Sequence, residues 1–451
     1  MRRYGMVIGI RPESIDEYRR LHKAVWPKVI EQIERSNISN YTIYLREPEN
    51  LLFSHFEYHG KNFEADMAAM ARDPETQRWW TLTSPCQAPL DSRVVGEHWA
   101  LMQEVFHFDG TPEASWRTRL PRVGFGAAAV GNLYRPMADE QARDAVLGAL
   151  EVGITYFDTA PHYGFGLSER RLGAVLAEAD PTGSCLVSTK VGRLLKPLRS
   201  NAPAERYGFV DADAFEPHFD YTYEGVMRSF EQSLRRLRRD RIDILLAHDL
   251  GRATHGAAHD AYFKQFIDSG YRAMRELREQ GVIGAVGLGV NEWEICIETL
   301  RLVDLDVILL AGRYTLLDQS ALDLFLPMCA QRDIPVILGG PYNSGILAGG
   351  SQGAPKFDYR PASEPVIAQV RRIEDVCHRF DVALPSAALQ FPLAHPQIAA
   401  VIPGIGSRAE ALAARNHLNQ PIPKAFWQAL RNTCLLRGNA PLPMQDHERG
   451  V

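Results

Sequence analysis

The 451-residue sequence has few cysteines, and its six, Cys86, Cys185, Cys296, Cys329, Cys377 and Cys434, form no C-x-x-C pair and have no histidine cluster beside them. That scatter argues against a disulfide framework and against structural zinc or any other metal centre, which need closely grouped ligands. The thiols read instead as buried side chains of a protein in the reducing cytoplasm. No apolar run is long enough to cross a bilayer. The start, MRRYGMVIGIRPES, holds only a brief apolar stretch that Pro12 ends, too short for a signal segment. A net charge of −5 gives no basic surface, so neither nucleic acid nor membrane is expected as a partner. A dinucleotide-type G-x-G-x-x-G is missing as well, because Gly124-Phe125-Gly126 is followed by Gly131, at the wrong spacing.

What is present is an ordinary globular composition, 45% hydrophobic and 23% charged, over a length that one core rarely supports. Residues 1–108 read as strand, helix, strand, strand, helix, strand: Tyr4–Ile10, Ile15–Glu34, Tyr41–Leu45, Leu51–Tyr58, Asn62–Ala71 and Ala100–Phe108. That order predicts an α+β ferredoxin-like unit. Asp109 to Arg119 supplies Gly, Pro and Ser and reads as a linker.

From residue 120 the pattern becomes strands alternating with helices. The strands are expected at Val123–Ala129, Thr155–Asp158, Leu186–Val191, Ile242–Leu246, Ala285–Gly289, Val307–Leu310, Pro335–Leu338 and Ala399–Ile402. Helical periodicity lies between them, as in 139–151, 223–237, 271–280, 319–332 and 365–380. Eight such units over residues 120–420 fit an α/β (β/α)8 barrel, with an open doubly wound sheet as the rival and 421–451 as a C-terminal tail. Two connections, Gly192–Thr222 and Asp249–Ala261, are too long for turns and belong at the carboxyl face, where ligands bind.

Three consecutive apolar strands end on ionisable residues: Asp158 with Tyr163 just beyond it, Lys190, and His248. Any one alone is an ordinary strand end, and Asp158 with Lys190 could be a structural ion pair. Together at one rim they describe a shared site.

These residues carry a resemblance. The F-D-T-A-x-x-Y-G run at Phe157–Gly164, Ser168-Glu169, Leu172-Gly173, the S-T-K at Ser188–Lys190, His248, Gly287–Asn291 and Ile402-Pro403-Gly404 are similar, in order, to the aldo/keto reductases. The resemblance implies NAD or NADP as cofactor and a catalytic tetrad of Asp158, Tyr163, Lys190 and His248. It further implies that Asn291 holds the nicotinamide carboxamide and Tyr314 stacks on the ring. Ser344, Gly345 and Leu347 would meet the pyrophosphate, and Gly404, Ser407 and Arg408 the adenosine end. A tyrosine exchanging a proton near neutral pH needs its pKa brought down from about 10. One ammonium at about 4 Å supplies roughly 4 kcal/mol at an effective dielectric of about 20, so Lys190 is expected to suffice.

In the first unit Tyr18, His22 and Trp26 are spaced i, i+4, i+8 and share a helix face. With Trp26-Pro27, Asn40–Leu45, Asn50–Phe53, Gln77–Trp80 and Glu104–Phe106 they resemble the L-rhamnose mutarotase family. That implies Tyr18 and His22 as the acid–base pair, Tyr41, Trp79 and Trp80 against the sugar, and a homodimer through this unit. Within its own family the barrel looks most like the D-threo-aldose (L-fucose) dehydrogenases, with pyridoxal dehydrogenases close behind. The expectation is a bifunctional sugar enzyme that oxidises L-fucose, L-rhamnose or a similar aldose at the anomeric carbon to a lactone. The rivals are a general carbonyl or pyridoxal reductase whose first unit only dimerises, and a non-catalytic redox-binding barrel.

Overall fold

The computed structural model describes residues 2–106, 115–198 and 203–443. Contacts divide the chain into two units, Met1–Pro112 and Glu113–Val451. Of the expected linker, 109–114 lies outside the described residues, and Trp116–Arg119 is a short helix.

In the first unit Arg2–Ile10 pairs antiparallel with Leu51–Tyr58, which pairs with Ile38–Arg46, while Gln87–Ala88 and Ala100–Met102 pair with the other edge of the first strand. The resulting order places the first and third strands centrally, the ferredoxin-like arrangement. Leu51–Tyr58 alternates half-buried and buried side chains, so Leu52 and Phe56 reach the core while their neighbours face the other way. The single helix expected over 15–34 is two, Ile15–His22 and Pro27–Arg35. Pro27 is the reason: it forces Trp26 into an extended conformation (ψ 135°) and then opens the next helix itself. A further helix, Pro74–Thr83, carries Trp79 into the core, and the last strand stops at Met102.

In the second unit eight parallel strands lie in order: Phe125–Gly126, Tyr156–Asp158, Leu186–Val191, Ile242–His248, Ile283–Val290, Val307–Ala311, Val336–Gly339 and Ile398–Ile402. Parallel bridges Val123↔Val401 and Gly126↔Gly404 join first to last, which closes the barrel and removes the open-sheet alternative. Side chains alternate along each strand. Ile244 and Leu246 join Tyr156, Leu309 and Ile402 inside the barrel, while Leu245 and Ala247 face the helices. Each such burial contributes about 1.5–3 kcal/mol.

The helix expected over 319–332 is a short turn, Ser320–Leu322, and then a helix at Phe325–Gln331, because Pro327 has no N–H and its ring clashes with a continuous upstream turn. The stretch expected as a tail is structural over its described part. Helix Lys424–Asn432 buries Phe426, Trp427 and Leu430 in the layer between the barrel and its helices. Of the six thiols five are buried and Cys434 is exposed, against the expectation for it.

Candidate active site

The strand ends meet as the sequence suggested. Asp158 lies in register with Ser188, and the Ser188 hydroxyl donates to Asp158 Oδ1 at 2.7 Å. Lys190, only 2% exposed, donates from Nζ to both Asp158 oxygens at 3.0 and 2.8 Å and to the Thr159 carbonyl at 2.8 Å. The same ammonium lies 3.2 Å from the Tyr163 hydroxyl, which accepts from it, and 4.7 Å from that ring's centroid. His248 sits with its ring 6.0 Å from that of Tyr163.

The position of Tyr163 is set by the backbone beneath it. It begins a tight turn, Tyr163–Gly166, in which Gly164, Phe165 and Gly166 all have positive φ. Gly131 packs against this turn so closely that a Cβ there would lie 2.8 Å from the Tyr163 carbonyl carbon. The Ser168-Glu169 part of the motif is structural: Ser168 donates to the Ala127 carbonyl, and Glu169, fully buried, accepts from Thr189 and Arg236.

The electrostatics differ from expectation at one point. Burial pushes the Tyr163 phenol well above the ordinary tyrosine value, Asp158 and Asp249 push it further, and Arg193 opposes them. Lys190 does not bring it down alone because the Asp158 carboxylate already neutralises that ammonium at hydrogen-bond distance. His248 is held well below the usual imidazole value by burial, with Arg193, Lys190 and His162 adding to the effect, so it is neutral at pH 7.

The long connection after the third strand roofs this site. Arg193–Pro197 and Phe215–Phe219 form an antiparallel hairpin, and Phe209 bridges to Leu133 of the first loop. Phe209 then packs on Tyr163 and His162, at 6.2 and 5.5 Å between rings.

The remaining candidates divide. Asn291 is at the rim, its amide donating to Asp249 Oδ1 at 3.0 Å, with the Tyr359 hydroxyl 3.5 Å from its carbonyl oxygen. Ser344 (φ 61°) and Gly345 (φ 99°) form a left-handed turn, and among the described residues nothing lies within 4 Å of a Cβ at Gly345 or Gly404. Ser407 caps helix Arg408–Asn419 and lines a cavity of about 480 Å³ with Arg135, Met137, Gln141 and Gly406. The open backbone, the rim carboxamide and this cavity fit an extended dinucleotide.

Three candidates do not fit as expected. Tyr314 is fully buried with its ring on Phe391 and His395, because the bend after strand Val307–Ala311 turns it into the packing between barrel and helices rather than to the rim. Leu347 is fully buried and its N–H is already bonded to the Tyr342 carbonyl. Arg408 is drawn to helix Asp139–Glu151 by ion pairs with Asp144 and Glu151.

In the first unit Tyr18 and His22 stack at 4.1 Å, and Trp79 meets His22 edge-on at 5.5 Å. His22 Nδ1 lies 2.9 Å from the Tyr18 carbonyl, which only accepts, so Nδ1 carries the proton and Nε2 is a free base. Burial lowers the His22 pKa and raises that of Tyr18, with Tyr41 among the groups that add to the rise. Trp80 is 40% exposed, and among the described residues no ring contact joins it to this group.

Sequence reasoning missed Gln87 and His98, which bond to each other at 2.8 Å while Gln87 donates to the Tyr18 hydroxyl at 3.4 Å. It also missed Arg193, Asp249 and His162. Asp249 follows a recognised histidine directly, which was the one available signal.

Residues 122–433 match the aldo/keto reductase family model. The chain belongs to the aldo/keto reductase family. This aldo/keto reductase carries a second match at residues 3–108, to L-rhamnose mutarotase. It is 41% identical over 324 residues to pyridoxal 4-dehydrogenase of Microbacterium luteolum, covering 70% of this chain and 94% of that protein. It is 36% identical to D-threo-aldose 1-dehydrogenase of a Pseudomonas species, covering 70% of this chain and 95% of that protein. The first unit is 30% identical to L-rhamnose mutarotase of Oceanobacillus iheyensis, covering 24% of this chain and all of that protein. The reductase barrel is therefore fused behind a mutarotase-family domain.

Proposed function

We propose that the barrel oxidises the anomeric carbon of L-fucose or a similar aldose to its lactone, and that residues 1–108 interconvert the anomers that the barrel draws on. The observation that carries this reading is the Lys190 ammonium, bonded at once to Asp158 and to the Tyr163 hydroxyl at the carboxyl rim of the barrel.

Asp158 holds Lys190 charged and aimed. Tyr163 exchanges a proton with the substrate hydroxyl, its oxygen held in place by the hydrogen bond from Lys190. Neutral His248 binds the reacting oxygen and orients the ring. Asn291, Ser344, Gly345, Gly404 and Ser407 would hold a nicotinamide dinucleotide, NAD or NADP, which when bound supplies the hydride acceptor. The roof formed by Phe209 and the hairpin of Arg193–Pro197 with Phe215–Phe219 keeps water from the site.

In the first domain His22 Nε2 takes a proton from one sugar oxygen while the Tyr18 hydroxyl delivers one to another, opening the ring so that it recloses on either face. Trp79 and Tyr41 pack against the sugar. A dehydrogenase that accepts one anomer otherwise waits on spontaneous ring opening, and a mutarotase domain on the same chain removes that wait. The exposed Leu101, Met102, Val105 and Phe106 support pairing of two copies through this domain, and the free thiols suit a cytoplasmic protein.

A second reading, oxidation of pyridoxal, is favoured by the 41% identity to a pyridoxal dehydrogenase. Steady-state oxidation of L-fucose, L-rhamnose, D-arabinose, L-galactose and pyridoxal, followed as reduced nicotinamide with NAD and NADP separately, decides between them. A sugar oxidised at least as efficiently as pyridoxal supports the first reading, and turnover of pyridoxal alone overturns it.

A further inference from the structure

Three polar atoms buried around Tyr163 have no hydrogen-bond partner among the described residues: His162 Nδ1, Arg193 Nε and His248 Nδ1. Buried donors and acceptors without partners are rare, and these three share one place. The His162 and His248 rings are 6.0 Å apart, and Arg193 is the charged group that bears most on both imidazoles.

The fold goes to some length to keep Arg193 there. Gly192, with φ 98°, turns the chain at the end of the third strand, and its missing Cβ leaves room for the Tyr221 ring. Arg193 then enters the hairpin opposite Phe219, lies over that ring at 5.1 Å, and is only 8% exposed. One edge of its guanidinium is bonded to Asp249 Oδ2, and Nε has no partner among the described residues. Asp249 in turn reaches Asn291 through Oδ1 and lies 3.4 Å from His248 Nε2 through Oδ2.

A guanidinium N–H beside a carboxylate with spare lone pairs offers a donor and an acceptor side by side. That is the complement of an alcohol, which both accepts and donates. A simple aldehyde has no hydroxyl to bridge Arg193 Nε and the Asp249 carboxylate, and a site built for a hydroxyl discriminates strongly against the analogue lacking it.

We propose that Arg193, Asp249 and His162 form a subsite that binds the substrate hydroxyl on the carbon next to the reacting one, and so select a polyhydroxylated aldose over a simple carbonyl compound. Asp249 adjoins His248, so a hydroxyl on the neighbouring carbon falls to it when His248 holds the reacting oxygen. This rests on the reading of the barrel as a Tyr163-dependent sugar dehydrogenase.

The test compares kcat/KM for L-fucose and 2-deoxy-L-fucose in wild type, Arg193→Met and His162→Phe. The second variant keeps the aromatic packing and guards against misfolding of the first, which leaves Asp249 unpaired. Wild type is expected to prefer L-fucose by about 10- to 100-fold, the range for a hydrogen bond to a charged group, and both variants should bring that ratio near one. A wild-type ratio near one, or a large ratio that persists in both folded variants, overturns the subsite while leaving the dehydrogenase reading intact. No turnover of either sugar by wild type overturns the dehydrogenase reading, and the subsite with it.

Discussion

The Lys190 ammonium lies 3.2 Å from the Tyr163 hydroxyl, yet the phenol is held above the ordinary tyrosine value. Proximity of a cation does not lower a pKa when the cation is already matched. Asp158 takes two of the hydrogen bonds of Lys190, and its own charge reaches Tyr163.

A pH dependence follows from this sign. Oxidation needs Tyr163 without its proton, and a raised pKa keeps the proton on across the neutral range. The oxidative kcat is therefore expected to climb about tenfold per pH unit through neutrality into alkali, while carbonyl reduction, which needs the protonated phenol, stays flat. Initial rates in both directions across this pH range check it, and an oxidative plateau near pH 7 contradicts it.

Lys190→Met removes one partner of a buried pair. Asp158, 4% exposed, is left buried and charged with the Ser188 hydroxyl but no cation bonded to it, at a cost of about 3–5 kcal/mol in stability. Turnover is expected to fall by about 10²–10⁴. Adding Asp158→Asn should restore much of the stability and none of the activity, as read by denaturant unfolding beside kinetics. A single variant as stable as wild type would show that the pair is not buried in solution.

Much of the fold was legible because buried parallel strands read as short apolar runs between turns, as in Ile242–His248 and Val307–Ala311. The first barrel strand was harder, being reduced to Phe125–Gly126 in a glycine-containing run and flanked by closing bridges. Strand ends could be read for Asp158, Lys190 and His248, since each lies at or next to the last residue of its apolar strand. The facing of Tyr314 could not, because spacing places a residue after a strand without saying whether packing turns it to the rim or to the core. Arg193 and Asp249, 56 positions apart, meet only through a hairpin that no local pattern announces.

Gly192→Ala should disturb the roof of the site. A Cβ there would stand 2.2 Å from the Tyr221 ring, on backbone at φ 98°. Strain of about 1–3 kcal/mol is expected, read as a lower midpoint of unfolding together with a raised KM for the sugar. An unchanged midpoint would mean that the hairpin is free to shift.

His22→Ala should abolish catalysed anomer exchange, measured by magnetisation transfer between the anomeric protons of L-rhamnose or L-fucose, and leave oxidation of the preferred anomer within a few-fold. Burial keeps His22 neutral below the ordinary histidine range, so exchange in wild type should hold its rate as pH falls past about 6.5. A loss centred at that pH would place His22 in open solvent.

The central claim is sugar oxidation by the Lys190–Tyr163 pair, and its most direct test is the formation of reduced nicotinamide from L-fucose, L-galactose or D-arabinose by wild type and Tyr163→Phe, with NAD and NADP offered separately. The structure leads us to expect turnover of at least one of these sugars in wild type and a fall of about 10²–10⁴ in the variant. Turnover confined to simple aldehydes or pyridoxal, or a Tyr163→Phe protein that oxidises sugar at the wild-type rate, would contradict it.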